Sequence, residues 1–356
     1  MKSVRWHLVA AIGLVLVLGL AAQWMFSGGA SSPSSSQVAE LTISTYRSFV
    51  GKSGLGSVII PLFEKQCQCK IRVLTQPDAG ALLTRLEIDA RRGQVSAQVI
   101  LGLDQYLFAR AQPYLEDWGS WLPSGYQGLQ SDLKLGSGFV PYDYGPLGWI
   151  VDQAALQSEG LLIPHSLSDL LDPKWSRHFL LQDPRTSTPG LTFLLYTRAI
   201  LGDSVTDYWK KLRSQWLTLA PSWDSSYSLF VKGEAVAIWS YLTSQAYHQS
   251  RGEGGRYQAV IFDEGQPFQV EGASLVKGSF QSQQQKILAQ SFLEFLISSQ
   301  VQSRVPHSTW MLPVLQNLDL PSDFLKVPQV KRRVWPDHRP EVVLKALDDW
   351  RRAVEM

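Results

Sequence analysis

FVPYDYGPLGWIV, residues 139–151, is the stretch of sequence that decides the fold. It mixes aromatic and β-branched residues with two prolines and two glycines, a composition that favours extended backbone and disfavours helix. The residues before and after it return to alternating strand and helix patterns. The stretch therefore predicts an extended segment that crosses from one α/β region to another.

The region before this segment alternates strands and helices. Residues 41–46 alternate apolar and polar side chains as a half-buried strand does. Asp78 precedes an apolar-periodic run and is a candidate N-cap. In chain order the pattern predicts strand 41–46, helix 58–66, strand 70–74, helix 78–92 and strand 97–103, the last ending at Asp104. This order is typical of an α/β fold with a mostly parallel sheet.

A second α/β region follows the crossing segment. Its pattern predicts strands 179–182, 236–240, 257–262 and 267–273 and helices 190–201, 207–216, 283–299 and 340–354. Two α/β regions joined by extended segments predict a hinged receptor of two lobes, with the ligand in the crevice between them. We expect residues 41–141 with 265–356 to form lobe 1 and residues 142–264 to form lobe 2.

The charge of the chain is concentrated at its start. The 356 residues carry 33 Lys and Arg against 31 Asp and Glu, a formal charge of +2. Both surplus charges, Lys2 and Arg5, lie in residues 1–36, which contain no acid. The rest of the chain is neutral overall, which argues against a protein that tracks nucleic acid by bulk charge.

The N-terminal segment has the features of an export signal. Lys2 and Arg5 precede an apolar run over residues 8–22, and small residues suited to cleavage follow at 28–30. The run is also nearly long enough to span a bilayer, so an uncleaved anchor is the alternative. Either outcome places the body outside the cytoplasm, and we expect a periplasmic protein with a Ser-rich tether up to residue 36.

The two cysteines, Cys67 and Cys69, are separated by one residue. In an exported protein they can oxidise to each other, and the alternative is a buried pair of free thiols. Two thiols with no nearby His make a poor zinc site. The six His form no H-x-x-x-H pair and no G-x-S-x-G motif is present, so we expect neither a metal site nor a nucleophile elbow.

Aromatic residues carry the strongest functional signal. The chain has 13 Trp, and several aromatic residues fall at predicted strand ends or in polar loops together with two acids. Aromatic faces stack on a flat heterocycle and attract a cation, and a carboxylate adds a counter-charge. These candidate ligand-binding residues are Tyr46, Trp223, Tyr241, Tyr247 and Trp310 with Asp78 and Asp104.

Seven segments also occur in an order that matches a known family. They are TYRSF (45–49), GLD (102–104), PYDYG (141–145), QDPRTSTPGL (182–191), W-x-x-x-Y-x-L-F-x-K-G-E (223–234), SYLTSQAYH (240–248) and TWMLPV (309–314). From about residue 41 to its end the chain resembles the thiamine-binding periplasmic proteins, the substrate receptors of thiamine ABC importers. The resemblance implies the type II periplasmic binding protein fold, in which two α/β lobes close over the ligand.

The same resemblance implies a function and partners. A receptor of this kind captures thiamine or its phosphates, performs no catalysis, uses no cofactor and meets an ABC permease and, through it, an ATPase. Tyr46 at the first strand end and Asp78 are expected to face the ligand, and Ser187, which precedes a helix, is expected to meet its hydroxyl or phosphate tail. Trp223, Tyr241, Tyr247 and Trp310 are the expected aromatic walls.

Three places depart from the family pattern and leave other interpretations open, one of them SQAYH (244–248) in place of S-P-A-Y-H. Arg47 stands where the family usually has Asp, and Ser53 lies where it tends to carry Trp. If Arg47 faces the ligand, another heterocycle or an organic anion becomes the alternative cargo. An exported enzyme acting on a thiamine-like compound is the third reading, although the sequence offers no nucleophile with a motif-placed base.

Overall fold

The computed structural model describes residues 38–355. The predicted export segment and its tether, residues 1–36, lie outside this range. Within it, no helix has both the length and the apolar character needed to cross a bilayer. The helices are α1 (Leu55–Cys67), α2 (Ala79–Arg91), α3 (Gln105–Ala111), α4 (Gln153–Glu159), α5 (Thr188–Leu201), α6 (Val205–Leu212), α7 (Trp223–Val231), α8 (Ser244–Ser250), α9 (Gln283–Leu296), α10 (Ser299–Gln302), α11 (Val305–Ser308) and α12 (Pro340–Glu355).

The strands form one continuous path of pairings. They are β1 (Glu40–Tyr46), β2 (Lys70–Gln76), β3 (Val99–Asp104), β4 (Val140–Asp152), β5 (Phe179–Gln182), β6 (Trp216–Ala220), β7 (Ala237–Tyr241), β8 (Tyr257–Val260), β9 (Gln266–Leu275), β10 (Leu312–Pro313) and β11 (Arg333–Val334). Their order is β2-β1-β3-β9-β4-β7-β5-β6, while β8 and β10 pair with β4 and β11 pairs with β9.

Strand β4 is the predicted crossing segment, and it is buried along its whole length. Its first half pairs with β9, and its second half pairs with β7 and β8. One strand therefore runs from the first α/β lobe into the second, as the composition of residues 139–151 predicts.

The prediction of a mostly parallel sheet is wrong for the centre. Strands β2, β1 and β3 are parallel, and so are β6, β5 and β7. Between these groups, β9 runs antiparallel to β3 and β4, and β4 runs antiparallel to β7. The two crossing strands connect the parallel groups directly, so no helical crossover orders them in parallel.

The last third of the chain returns to both lobes. Phe63 on α1 packs against Phe292 and Phe295 on α9, which ties α9 to the first lobe. Helix α12 instead packs on α5 and α6, where Trp350 meets Trp209 edge to face. The prediction assigns α12 to lobe 1; its partners α5 and α6 lie within residues 142–264, and it also contacts α3, which lies within residues 41–141. The exact lobe boundaries remain a prediction.

Three elements of the second lobe differ from the sequence prediction. The predicted helix 207–216 ends at Leu212, and strand β6 at residues 216–220 was not predicted. Helices α7 and α8 form where loops were expected. The start of α7 is a capping box between Ser222 and Ser225. Serine in place of the usual Glu or Gln at the third position hides this signal in the sequence.

Cys67 and Cys69 form a disulfide across a Cα–Cα distance of 5.2 Å. The bond closes the end of α1, where Gln68 takes the left-handed conformation with φ 53°. Of the two readings of the C-x-C pair, the structure selects the local disulfide.

Candidate functional site

Three carboxylates lie side by side where the first lobe meets the crossing strands. Asp104 at the end of β3 pairs in register with Glu271 on β9, and Glu271 pairs in register with Asp143 on β4. Asp104 and Asp143 are buried, with exposures of 0% and 1%, and Glu271 is half-buried. We call Asp104, Glu271 and Asp143 the carboxylate row.

Two tyrosines bind the middle member of the row. The hydroxyls of Tyr46 and Tyr142 donate to Glu271 Oε2 at 2.7 Å and 2.6 Å. Gln269 donates to Glu271 Oε1 at 3.2 Å and to the Thr188 hydroxyl, at the first residue of α5, at 3.0 Å. This network links the end of β1 to the N-terminus of α5, so it joins the two lobes through Glu271.

The two outer members of the row have oxygen atoms without a hydrogen-bond partner. Within residues 38–355, both oxygens of Asp143 and the Oδ2 oxygen of Asp104 lack a hydrogen-bond partner. Asp104 Oδ1 accepts from the backbone N–H groups of Tyr106 and Leu107 and so caps α3. Buried carboxylate oxygens are rarely left unpaired, and they mark places where a ligand or proton completes the arrangement.

Burial raises the pKa values of all three carboxyls in the row. Desolvation, and then the charge of Glu271, raises the pKa of Asp104 to about 7 and raises the pKa of Asp143 well above its usual range. Desolvation also raises the pKa of Glu271, although the two tyrosine hydrogen bonds oppose it. Three adjacent carboxylates in low dielectric resist simultaneous ionisation.

A set of stacked aromatic rings faces the row from the second lobe. Trp223 at the start of α7 stacks on Tyr227 with 4.7 Å between ring centroids, and Tyr241 at the end of β7 lies 6.2 Å from Trp223. We call Trp223, Tyr227 and Tyr241 the aromatic side. A Cβ atom on Gly145, two residues along β4 from Asp143, would lie 3.3 Å from the Tyr241 ring, so this ring reaches the part of β4 that carries the row. Burial, and then the negative charges of the row, raises the pKa of the Tyr241 hydroxyl.

The polar atoms of Trp223 and Tyr227 have partners. Trp223 Nε1 donates to the Ser240 hydroxyl at 2.8 Å. The Tyr227 hydroxyl lies 2.8 Å from His248 Nε2, and His248 Nδ1 lies 2.8 Å from Glu253. Desolvation lowers the pKa of His248, so a neutral imidazole fits this chain of bonds.

Tyr247 and Trp310 form a separate pair next to this cluster. Their ring centroids are 5.5 Å apart and nearly perpendicular, and Trp310 also stacks on Phe324. Trp310 has a left-handed backbone with φ 57°, which costs energy for a bulky residue and is common at binding sites. The next residue, Met311, reaches Gly145, which also borders Tyr241.

One glycine is required for the position of Tyr46. Gly102 in β3 has φ 102°, and a Cβ atom there would lie 2.2 Å from the Tyr46 ring. Only glycine allows this close approach. The ring of Tyr46 is therefore held over the backbone of β3, with its hydroxyl on the carboxylate row.

Asp78 and Ser187 occupy a second junction between the lobes. Asp78 caps α2 by accepting from Ala81 N at 2.8 Å, as predicted. Ser187 is buried at the N-cap position of α5 and makes no capping bond with its side chain. A Cβ atom on Gly80 would lie 2.9 Å from the Thr186 carbonyl oxygen, so the starts of α2 and α5 lie against each other.

Arg47 is exposed and stands near Asp224 of the second lobe. Desolvation raises the pKa of the Asp224 carboxyl, and the Ser48 hydroxyl and the Arg47 guanidinium oppose the rise. Within residues 38–355 Arg47 makes no ion pair with a member of the carboxylate row, and its charge acts on the pKa of Asp224.

The structure brings four predicted residues into one cluster, Tyr46, Asp104, Trp223 and Tyr241. Tyr247 with Trp310, and Asp78 with Ser187, lie in the two adjoining places described above. Trp223 and Tyr247 belong to helices and not to loops. Sequence reasoning missed Glu271 and Asp143, which complete the row. Asp143 lies within PYDYG and Glu271 interrupts an apolar strand, and a charged residue inside a buried strand is the signal that identifies both.

A groove of about 280 Å³ lies elsewhere, between α2 and strands β1 and β2. Leu82, Leu86 and the pair Arg85–Asp89 line it, and none of the predicted site residues does. Within the described residues no cluster of His, Cys, Asp and Glu has the arrangement of a metal site.

Residues 110–339 match the protein family described as "Bacterial extracellular solute-binding protein". Among curated proteins, the thiamine-binding periplasmic protein of Escherichia coli (strain K12) is 34% identical over 319 residues, covering 88% of this chain and 93% of its own. The protein of the same name from Salmonella typhimurium (strain LT2) is 35% identical and covers the same shares of both chains. That of Brucella abortus is 34% identical over 85% of this chain and 87% of its own.

Solved structures agree with these sequence relatives. A periplasmic thiamin binding protein superposes with a TM-score of 0.77 at 32% identity, covering 90% of this chain and 98% of the other. A periplasmic binding protein from Actinobacillus pleuropneumoniae, solved with fructose-6-phosphate, reaches 0.75 at 18% identity over 89% and 99% of the two chains and supports the fold alone. The fold is thus that of the periplasmic binding proteins, and the protein is an extracytoplasmic solute receptor. The chain belongs to the bacterial extracellular solute-binding proteins and, within them, to the thiamine-binding periplasmic proteins.

Proposed function

We propose that this protein captures thiamine outside the cytoplasm and delivers it to an ABC importer. Thiamine carries a fixed positive charge on its thiazolium ring and a flat aminopyrimidine ring. A cation needs a counter-charge when it leaves water, and flat rings gain by stacking on aromatic faces. The juxtaposition of the carboxylate row with the aromatic side is the observation that carries the proposal.

Different residues are proposed to contact different parts of the ligand. In this proposal Trp223 and Tyr241 stack on the ligand rings, Tyr46 closes the site from the first lobe, and the carboxylate row supplies the negative charge. Tyr247 and Trp310 extend the aromatic wall. Ser187 and the start of α5 meet the hydroxyl tail or its phosphate, since helix N-termini favour anions. Asp78, which caps α2, orients the opposing surface.

The partners and location follow from the receptor role. The proposed partners are the importer's permease and, through it, its ATPase. Residues 1–36 direct export, either as a cleaved signal or as an inner-membrane anchor. The protein acts as a receptor and not as an enzyme in this proposal, and thiamine is its cargo, with no cofactor required.

Calorimetry on the purified body tests the proposal. We expect tight binding of thiamine and a measurable response to its phosphates. A neutral pyrimidine fragment without the thiazolium ring is expected to bind at least about 100-fold more weakly, since it lacks the charge that the row balances. Heat indistinguishable from buffer for thiamine and both phosphates rejects the proposal. Mass spectrometry after incubation checks for turnover, and any new product assigns the protein to the enzymes instead.

A further inference from the structure

We propose that the carboxylate row holds protons in the ligand-free protein and releases at least one of them when a cation enters the site. The inference rests on the proposed function, because it needs a positively charged ligand. In the exchange an O–H bond of the row breaks, the proton passes to a buffer base, and the ligand's charge takes its place. Thiamine capture is then linked to pH.

The geometry of the row provides the first argument. Asp104, Glu271 and Asp143 occupy matching positions on three neighbouring strands. No Lys, Arg or His of residues 38–355 makes an ion pair with any of the three. Without a cation, the row must reduce its negative charge by binding protons.

The unpaired oxygens provide the second argument. Oδ2 of Asp104 and both Asp143 oxygens lack a partner within the described chain, although these side chains are fully enclosed. The nearby Thr309 hydroxyl, which opposes the rise in the pKa of Asp143, donates to the Val305 carbonyl oxygen at 3.1 Å. A protonated carboxyl can donate to a neighbouring oxygen, whereas an ionised one only accepts. The row therefore has acceptor positions that either a proton or a cationic ligand can satisfy.

The groups around the row add no positive charge. Tyr46 from β1, Tyr142 from β4, Tyr241 from β7 and Tyr106 from α3 face it with neutral hydroxyls, and burial raises the pKa of each. The negative charge of a further carboxylate, Asp224 from α7, also raises the pKa of the Tyr241 hydroxyl. The charge of Arg47 opposes the rise in the pKa of Asp224, and Arg47 makes no ion pair with the row within residues 38–355. With neutral hydroxyls around it and no paired cation, the row keeps the raised pKa values that burial gives its carboxyls.

The sign of the pH effect follows directly. Cation binding favours the deprotonated row, so affinity for thiamine increases as the pH rises through the range where the row titrates. The Asp104 pKa of about 7 places this range near neutrality. The row then binds its ligand more weakly on the acid side and more tightly on the basic side.

Calorimetry in two buffers with different ionisation enthalpies tests the linkage at pH 7. We expect the observed enthalpies of thiamine binding to differ by an amount that corresponds to release of about one proton, and affinity to rise about tenfold from pH 6 to pH 8. Asp143→Asn removes one titrating member with little change of shape, and the proton release should fall. Asp152→Asn is the matched control, because Asp152 is equally buried but paired with Arg256 at 2.7 Å.

Infrared spectroscopy tests the ligand-free state without any ligand. We expect a protonated-carboxyl band at pH 7 that weakens in Asp143→Asn, persists in Asp152→Asn and decreases when thiamine is added. Thiamine binding with equal enthalpies in both buffers and constant affinity from pH 6 to pH 8 overturns the inference and leaves the receptor role intact. If the ligand-free protein shows no protonated-carboxyl band at pH 7, that result alone overturns the inference. Failure of thiamine to bind at any pH rejects the proposed function, and the inference with it.

Discussion

The carboxylate row and the aromatic side face each other, yet their polar groups are satisfied very differently. On the aromatic side Trp223 donates to Ser240, and Tyr227 joins His248 in a chain of short contacts. On the row, fully buried carboxylate oxygens have no partner within residues 38–355. The stacked pair Trp223 and Tyr227 is therefore satisfied in the ligand-free protein, whereas the row is not.

This difference indicates that the two surfaces make different contributions to the binding free energy. A preorganised aromatic surface loses little entropy when a ring stacks on it. An incomplete carboxylate row gains a counter-charge that nothing else in the described chain supplies. We infer that the aromatic side sets the shape of the ligand and that the row sets its charge, and the following variants separate the two contributions.

The largest effect is expected from Gly102→Ala, which disrupts the row through Tyr46. The new methyl group would overlap the Tyr46 ring, so the tyrosine must move and its hydrogen bond to Glu271 is lost. We expect thiamine affinity to fall by more than about 100-fold and the midpoint of thermal unfolding to drop.

Gly136→Ala is the matched control for this variant. Gly136 has a similar φ of 116°, but no atom lies within 4 Å of the position of its Cβ. It should cost about 1 kcal/mol of stability and leave thiamine binding unchanged within twofold. Equal affinities of the two glycine variants would show that the position of Tyr46 does not matter for the row.

A similar but smaller loss is expected from Trp223→Ala on the aromatic side. The change removes the stacking partner of Tyr227 and leaves the Ser240 hydroxyl without its indole donor. Loss of one stacking ring costs about 2 kcal/mol, which is a 30-fold weaker Kd by calorimetry. Trp121→Ala removes a half-buried indole that packs on Trp118 away from the site, and it should bind as the wild type does. If Trp223→Ala also abolishes proton release, charge and shape are not separate functions.

Asp104→Asn is expected to stabilise the ligand-free protein while it weakens binding. Desolvation raises the pKa of Asp104 to about 7, so the folded protein holds this proton more tightly than the unfolded chain does. The stability from that proton is fully present below about pH 4 and is lost as the pH rises towards 7. Asparagine can still cap α3 and carries no charge, so at pH 8 we expect a gain of about 2 kcal/mol, measured by urea unfolding.

The control for Asp104→Asn is again Asp152→Asn. Asp152 caps α4 through the backbone N–H groups of Ala154 and Ala155, in the same way as Asp104 caps α3, but it bonds Arg256 at 2.8 Å. Removing its charge should destabilise the protein by about 1 kcal/mol at pH 8. A loss of stability in both variants would indicate that Asp104 is ionised and satisfied in the folded protein.

The sequence alone predicts most of the fold, and it identifies two residues of the aromatic side but not the carboxylate row as a whole. Alternating patterns locate the strands and long helices, and the composition of residues 139–151 identifies β4. Aromatic residues in polar surroundings identify Trp223 and Tyr241. Of the row, sequence reasoning identifies Asp104 alone. Asp104, Asp143 and Glu271 are far apart in the chain, and only the antiparallel course of β9 between β3 and β4 makes them neighbours. Register between distant strands is a tertiary property that no local pattern encodes.

The smallest effect is expected from Arg47→Ala, which tests whether charge selection extends beyond the row. Arg47 is exposed and acts on Asp224, and exposed charge pairs contribute little free energy because water screens them. We expect thiamine affinity to change less than about threefold, as for Arg92→Ala on the exposed end of α2. The ratio of thiamine to thiamine monophosphate affinity is the sharper measurement, since a guanidinium that binds phosphate contributes strongly to that ratio alone. A shift of that ratio by more than about tenfold in Arg47→Ala, with thiamine affinity unchanged, would mean that Arg47 reads an anionic group, and that the second lobe contributes Asp224 to orient it.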